Sequence, residues 1–443
     1  MLKRKMMSEL LKWKDNPEKK CLLIKGARQV GKTYIVNEFA KTYPHYIYIN
    51  FEISPRLKRI FEGDLDIDTL VTEITLRFRD VPLLPKKTLI FLDEIQSCPG
   101  ARTALKSFSL DGRFDVIASG SLMGLNYREV SSYPVGYEEA IDMHSLDFEE
   151  FLWAMGTPEE SVSSIASDLR GKKPLSAFAA EEMSRMLRLY LVVGGMPDAV
   201  DSFARHRDLG KVLAIQRKIV SGYMDDIAKY ARYSDKDKAR ACLRSVPEQL
   251  GGRFRYSGVD GKANVGSRMY GSGLEWLVDA GIVFRCLNLD APTQPLALNK
   301  RFSVFKLFMW DPGLLASMLD DGLAVAIVEG EAHANLGAVA ENFVASEIGR
   351  RGIEPTYFEK KGKNRDMEVD FVIGMGPGVA AIEVKSGKGM ESKSLERAMS
   401  GVYGVPRGIL LGGDGVSSDE RGVERYPLYA AAFIFPDRSG YRF

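Results

Sequence analysis

The stretch Gly26-Ala27-Arg28-Gln29-Val30-Gly31-Lys32-Thr33 fits the pattern G-x-x-x-x-G-K-[ST] at every fixed position. No other part of the chain constrains the fold as much, because this pattern works only between a buried strand and a helix. Both flanks comply: Cys21-Leu22-Leu23-Ile24 is an apolar run suited to a strand, and Tyr34 to Ala40 can continue as a helix. A strand, a glycine-bearing loop and a helix N-terminus gather backbone N–H groups around one anion. Gly26 and Gly31 allow backbone geometry that a Cβ would obstruct. Lys32 is expected to neutralise the β- and γ-phosphates of a nucleotide, and the Thr33 hydroxyl to ligate Mg2+.

A second stretch supplies the other half of such a site. Thr88-Leu89-Ile90-Phe91-Leu92 reads as a strand buried on both faces, and it ends in two carboxylates, Asp93 and Glu94. Asp93 is expected to hold Mg2+ through water, and Glu94 to polarise the attacking water. Phe114 to Ser121 is another core strand; Ser119 and Ser121 at its end fit either γ-phosphate sensors or a simple turn. Arg113, just before it, reads as a surface residue. Tyr46 to Phe51 alternates as a strand, Ile67 to Arg79 has helical spacing, and Ser8 to Lys14 reads as a short amphipathic helix. The cluster Lys3, Arg4, Lys5, Lys12, Lys14, Lys19 and Lys20 reads as a solvated face.

At 443 residues the chain exceeds one ordinary core, which implies two to four domains. A net charge of +2 provides no global field for nucleic acid, although a local basic patch remains open. The four cysteines lie far apart with no C-x-x-C pair, as expected of reduced thiols in a cytoplasmic protein without zinc. Met1 to Met7 lacks the apolar run of a signal peptide, and Leu428 to Phe435 is too short to span a bilayer, so no membrane association is expected.

Beyond the first domain, 156–182 is rich in Ser, Gly and Pro and reads as a linker. Met183 to Leu191 and Leu213 to Tyr230 read as helices, with Asp225 and Asp226 on a solvated face. Arg240 to Leu250, Met269 to Ala280 and Ile282 to Leu287 follow in the order helix, helix, strand, which suits a winged helix. Arg253, Arg255, Lys262 and Arg268, interleaved with Phe254 and Tyr256, suit a contact with duplex DNA or with protein. Near the end, Gly337 to Ile348 is helical and carries Glu341. Glu368 to Ile373 and Ala380 to Lys385 are strands joined by a Gly-Pro turn, and Lys393 to Met399 and Gly408 to Leu411 read as a helix and a further strand. Period-two geometry puts Glu383 and Lys385 on one face, and a hairpin brings Asp370 alongside.

The phosphate loop, Phe91-Leu92-Asp93-Glu94-Ile95-Gln96 and Ser119-Gly120-Ser121 together resemble the AAA+ superfamily of ATPases. Leu146 to Leu152, Tyr190 to Pro197, Phe305 to Phe308 with Asp311, and Glu368 to Phe371 narrow the resemblance. They are similar to prokaryotic ATP-binding proteins that join such a module to a C-terminal domain of unknown function. The resemblance implies a helical lid, a winged helix and an end domain similar to the PD-(D/E)xK nuclease fold. In that fold Asp370 and Glu383 would hold Mg2+ or Mn2+, Lys385 would stabilise charge on the attacked phosphate, and Glu341 would assist. One departure matters: many relatives have Gly-Arg shortly after the sensor strand, where this chain has Gly136-Tyr137, so no arginine role carries over.

The expectation is therefore an α/β multidomain protein. It has a P-loop AAA+ parallel-sheet core over 1–155, a linker and helical lid over 156–235, a winged-helix-like domain over 236–325 and a restriction-endonuclease-like domain over 326–443. ATP hydrolysis with Mg2+ would drive conformational change coupled to the nuclease-like domain acting on DNA. The alternative is a nucleotide-dependent protein-binding switch whose nuclease fold is inactive.

Overall fold

The structure, a computed structural model, describes residues 2–121, 136–231, 233–261, 266–330, 336–360, 367–376, 378–386, 392–401, 403–413 and 415–438. It divides into two compact units, one formed by 4–144 with 279–281 and the other by 1–3, 145–278 and 282–443.

The smaller unit runs α1 (Met6–Asp15), β1 (Cys21–Gly26), α2 (Lys32–Ala40), β2 (His45–Asn50), α3 (Ile67–Arg77), β3 (Thr88–Asp93), α4 (Pro99–Asp111), β4 (Asp115–Ser121) and β5 (Glu138–Asp142). Its five strands form one parallel sheet in the order β2-β3-β4-β1-β5. β1 and β3 are buried along nearly their whole length, as their unbroken apolar runs require of strands covered on both faces. On one face Leu23, Ile49, Leu92 and Ala118 pack against Leu70 and Ile74 of α3 and Leu105 and Phe108 of α4. Each such fully buried Leu, Ile or Phe side chain contributes roughly 1.5–3 kcal/mol. β2 ends one residue earlier than expected, because Phe51 leaves the strand to pack edge-on against Phe61 with centroids 5.5 Å apart.

The larger unit begins with helices α5 (Phe148–Ala154), α6 (Glu159–Arg170), α7 (Ala177–Val193), α8 (Pro197–His206), α9 (Leu209–Tyr230), α10 (Lys236–Ser245) and α11 (Ser267–Asp279). Asp147 and Glu150 close a capping box at the start of α5. The expected linker over 156–182 is corrected here. Val162, Ala166 and Leu169 recur on one helical face and are buried, so α6 forms despite the Ser-rich composition of its other face. The second aspartate of the Asp225-Asp226 pair is also corrected, since Asp226 is buried while Asp225 stays exposed.

The rest of that unit is β6 (Val283–Leu289), β7 (Lys300–Met309), α12 (Pro312–Ser317), α13 (Asp321–Glu329), α14 (Leu336–Arg350), β8 (Thr356–Lys360), β9 (Met367–Met375), β10 (Gly378–Val384), α15 (Lys393–Met399), β11 (Arg407–Leu411), β12 (Ser417–Ser418), β13 (Val423–Tyr426) and α16 (Ala431–Ile434). These strands make a second, mixed sheet in the order β12-β13-β11-β10-β9-β8-β6-β7. The strand expected for a winged helix, β6, pairs with β7 and runs parallel to β8, so it belongs to this sheet. Asp311 ties the unit together: its carboxylate accepts hydrogen bonds from Ser145 Oγ at 2.7 Å, Gly195 N at 2.9 Å and Leu314 N at 2.9 Å.

Candidate nucleotide site and end-domain cluster

The phosphate loop starts where β1 ends. A Cβ on Gly26 would stand 2.1 Å from the Met143 carbonyl oxygen, so the loop leaves the sheet where only glycine fits. Gly31 has φ of +96° and precedes α2 without any side-chain cap, which leaves the first N–H groups of that helix open to an anion. Lys32 is 7% exposed, and its ammonium donates to the carbonyls of Gly26 at 2.9 Å and Ala27 at 2.8 Å. Burial lowers its pKa to about 8, against the pull of Glu94 and Asp93. Val30 is buried in the loop, Gln29 is exposed with φ of +65°, and Arg28 pairs with Glu52 at 3.6 Å.

Parallel register brings Asp93 to this loop. Its Oδ2 accepts from the Thr33 hydroxyl at 2.9 Å, and its Oδ1 accepts from Ser119 Oγ. A hydroxyl and a carboxylate this close, beside a buried lysine and an uncapped helix, form a donor set suited to a triphosphate with its Mg2+. Glu94 follows in the left-handed region at φ 54°, and its carboxylate accepts from Gln96 Nε2. Ser121 closes β4 opposite Gly26, but its side chain lies outside the described residues. Arg113 pairs with Asp68 at 2.8 Å and with Asp111 at 2.6 Å.

Three residues escaped the sequence reading. Tyr48 Oη donates to Asp93 Oδ2 at 2.9 Å, and Asn50 Nδ2 donates to the same oxygen at 3.1 Å. Their signal is the register that sets Asn50 beside Asp93, which no local pattern reveals. Arg4, expected on a solvated face, is buried and donates to the Val30 carbonyl at 3.0 Å and the His144 carbonyl at 2.7 Å.

In the end domain, β9 and β10 pair antiparallel with Phe371 opposite Ile382. One step further along that register sets Asp370 opposite Glu383, and opposed residues share a face. Asp370 Oδ2 accepts from the Val384 N–H at 2.8 Å, and Lys385 Nζ lies 2.8 Å from Glu383 Oε1. Burial and then Asp370 push the Glu383 carboxyl up to about 7. Burial and Asp370 likewise push Glu341 up to about 8. Sequence reading missed the centre of this group. Lys306, on β7, has its ammonium 2.8 Å from Glu368 Oε1 and 3.2 Å from Glu341 Oε2. Its only sequence signal is a lysine among the apolar residues Phe305, Leu307 and Phe308. Among the described residues, no three His, Cys, Asp or Glu side chains are grouped so as to hold a metal ion.

The proposed basic contact between α10 and α11 is reduced by the structure. Phe254 is buried and stacked on Phe305 with centroids 5.6 Å apart, and Arg253 pairs with Glu359 at 2.8 Å. Arg255 and Arg268 remain exposed, while Lys262 lies outside the described residues. Among the described residues, no helix is long and apolar enough to cross a membrane.

Residues 18–152 match a family described as AAA domain, 184–323 match the domain of unknown function DUF8612, and 336–420 match the domain of unknown function DUF4143. An uncharacterized protein of Methanocaldococcus jannaschii is 24% identical over 399 residues, covering 86% of this chain and 79% of its own. Among solved structures, the Walker-type ATPase of Pyrococcus abyssi is 14% identical with a TM-score of 0.43, covering 72% of this chain and 96% of its own. The Orc1 protein of Aeropyrum pernix, solved in complex with DNA, is 13% identical with a TM-score of 0.28, covering 75% and 91% respectively. The AAA match falls on the same residues that build the parallel sheet and bring Lys32, Thr33 and Asp93 together, so in both sequence and site geometry the first part of the chain is similar to AAA domains.

Proposed function

We propose that the protein hydrolyses ATP with Mg2+ at the site formed by Lys32, Thr33, Asp93 and Glu94, and that this cycle drives conformational change coupled to a nuclease-like end domain. The single observation that carries the reading is the Thr33 hydroxyl bonded to Asp93 beside the buried Lys32 ammonium. Mg2+ and ATP supply the reacting phosphates and their charge neutralisation when bound. Lys32 holds phosphate charge, Thr33 and Asp93 orient the cation, Ser119 fixes Asp93, and Glu94 takes the proton of the attacking water. The helices over 156–235 act as a lid, α10 and α11 as the helices of a winged-helix-like segment, and 326–443, whose sheet also takes in β6 and β7, as the nuclease-like part. A small-molecule kinase is a poorer reading, because Asp93 and Glu94 form a pair suited to activating water.

A second reading for the end domain, binding without cleavage within a nucleotide-dependent switch, is favoured by Lys306 among its carboxylates. The ATP site is tested by Lys32→Ala. Removing the charge leaves the triphosphate under-compensated, so nucleotide should no longer raise the melting temperature while the fold stays intact. Unchanged ATP affinity in that variant overturns the assignment.

A further inference from the structure

The end-domain cluster already contains a cation. Lys306 is 1% exposed, and Tyr357 covers its ammonium with a ring centroid 5.3 Å away. Its place is fixed from two directions. From Phe305 to Met309 β7 is paired with β6, with Lys306 opposite Cys286. The buried Asn342 side chain clamps α14 to the end of β7, donating to the Met309 carbonyl at 3.1 Å and accepting from Met309 N at 2.8 Å. That clamp sets Glu341, the preceding residue of α14, against Lys306, while Glu368 reaches it from β9. Burial opposes the charge on Lys306, but Glu341, Asp370 and Glu368 outweigh it and hold the group above the usual lysine range. Glu383 is served separately by Lys385.

A divalent ion entering between Asp370 and Glu383 would meet two ammonium groups already bonded to the neighbouring carboxylates. It would also sit in the field of a buried positive charge that little water screens. We infer that Lys306 is the resident cation of this cluster, standing in for a divalent metal. The wild-type end domain therefore takes up neither Mg2+ nor Mn2+ at Asp370 and Glu383, and an uncharged residue at 306 opens the cluster to such an ion. Without Lys306, Lys385 would be the one ammonium among the described residues paired with Glu341, Glu368, Asp370 or Glu383. Glu383 Oε2, buried and without a hydrogen-bond partner, would be a ready ligand.

This inference rests on the nuclease-like reading of the end domain and is independent of the ATP site, whose failure would show in the Lys32 variant instead. The test is Mn2+ binding to the full chain without nucleotide, followed by electron paramagnetic resonance of the free ion. Wild type, Asp370→Asn, Lys306→Met and the double variant Lys306→Met/Asp370→Asn are compared. Wild type and Asp370→Asn should give superimposable curves. Lys306→Met should bind one further equivalent of Mn2+, which the double variant loses and Lys306→Arg does not gain. Mn2+ bound by wild type and lost in Asp370→Asn overturns the inference, as does a folded Lys306→Met with no extra equivalent. Should Lys306→Met fail to fold, the comparison of wild type with Asp370→Asn decides alone.

Discussion

Raising the pH should weaken ATP binding through one group. In the nucleotide-free protein Lys32 is buried, and its pKa is lowered to about 8. The sign follows from linkage: above that pH the free protein loses the Lys32 proton, whereas the bound triphosphate favours the charged ammonium and restores it. Binding therefore takes up a proton. If the phosphates return Lys32 to at least its ordinary value, about 10.5, affinity should fall about tenfold for each pH unit above about 8. Near pH 9 only about one free molecule in eleven carries the charge, so Kd should be about ten times that near neutrality. Calorimetric titration with a non-hydrolysable ATP analogue in two buffers of different ionisation heat measures both Kd and the proton count. Lys32→Arg keeps its charge throughout and should show a flat profile. A wild-type Kd that stays constant from about pH 7.5 to about 9.5 would refute the coupling between burial of Lys32 and its charge.

Two further outcomes follow from close contacts. Gly26→Ala places a Cβ 2.1 Å from the Met143 carbonyl, so the chain must shift there, costing about 1–3 kcal/mol and reducing the nucleotide-induced rise in melting temperature; an unaltered melt in both states counts against the packing. Asp311→Ala strands Ser145 Oγ, Gly195 N and Leu314 N, and urea unfolding followed by tryptophan fluorescence should report a loss of at least about 3 kcal/mol; a change under about 1 kcal/mol removes Asp311 from its structural role.

What the sequence made legible was local. β1, the loop and the start of α2 could be read because a fixed motif joins an apolar run to a helix, and β3 because its apolar run ends in two carboxylates. The turn of Asp370 and Glu383 to one face followed from strand period and hairpin distance. What could not be read depends on residues far apart in the chain. Tyr48 and Asn50 reach Asp93 only through the pairing of β2 with β3. Lys306 meets partners on α14 and β9 that share no pattern with β7. β6 joins the end sheet through Leu287 opposite Thr356, a parallel pairing invisible to any window of sequence. α6 was hidden for a different reason, since Ser161, Ser163 and Ser164 dominate the composition while three apolar residues carry the fold.

In the proposed reaction Glu94 activates water on a nucleotide held by Lys32 and Thr33. Its most direct test is phosphate release from ATP and Mg2+ by wild type and by Glu94→Gln, with ATP binding measured in parallel. Glu94→Gln keeps the shape and loses the base, so binding should be retained while turnover falls by about two orders of magnitude or more. Wild-type turnover in a Glu94→Gln protein that still binds ATP would rule out Glu94 as the base.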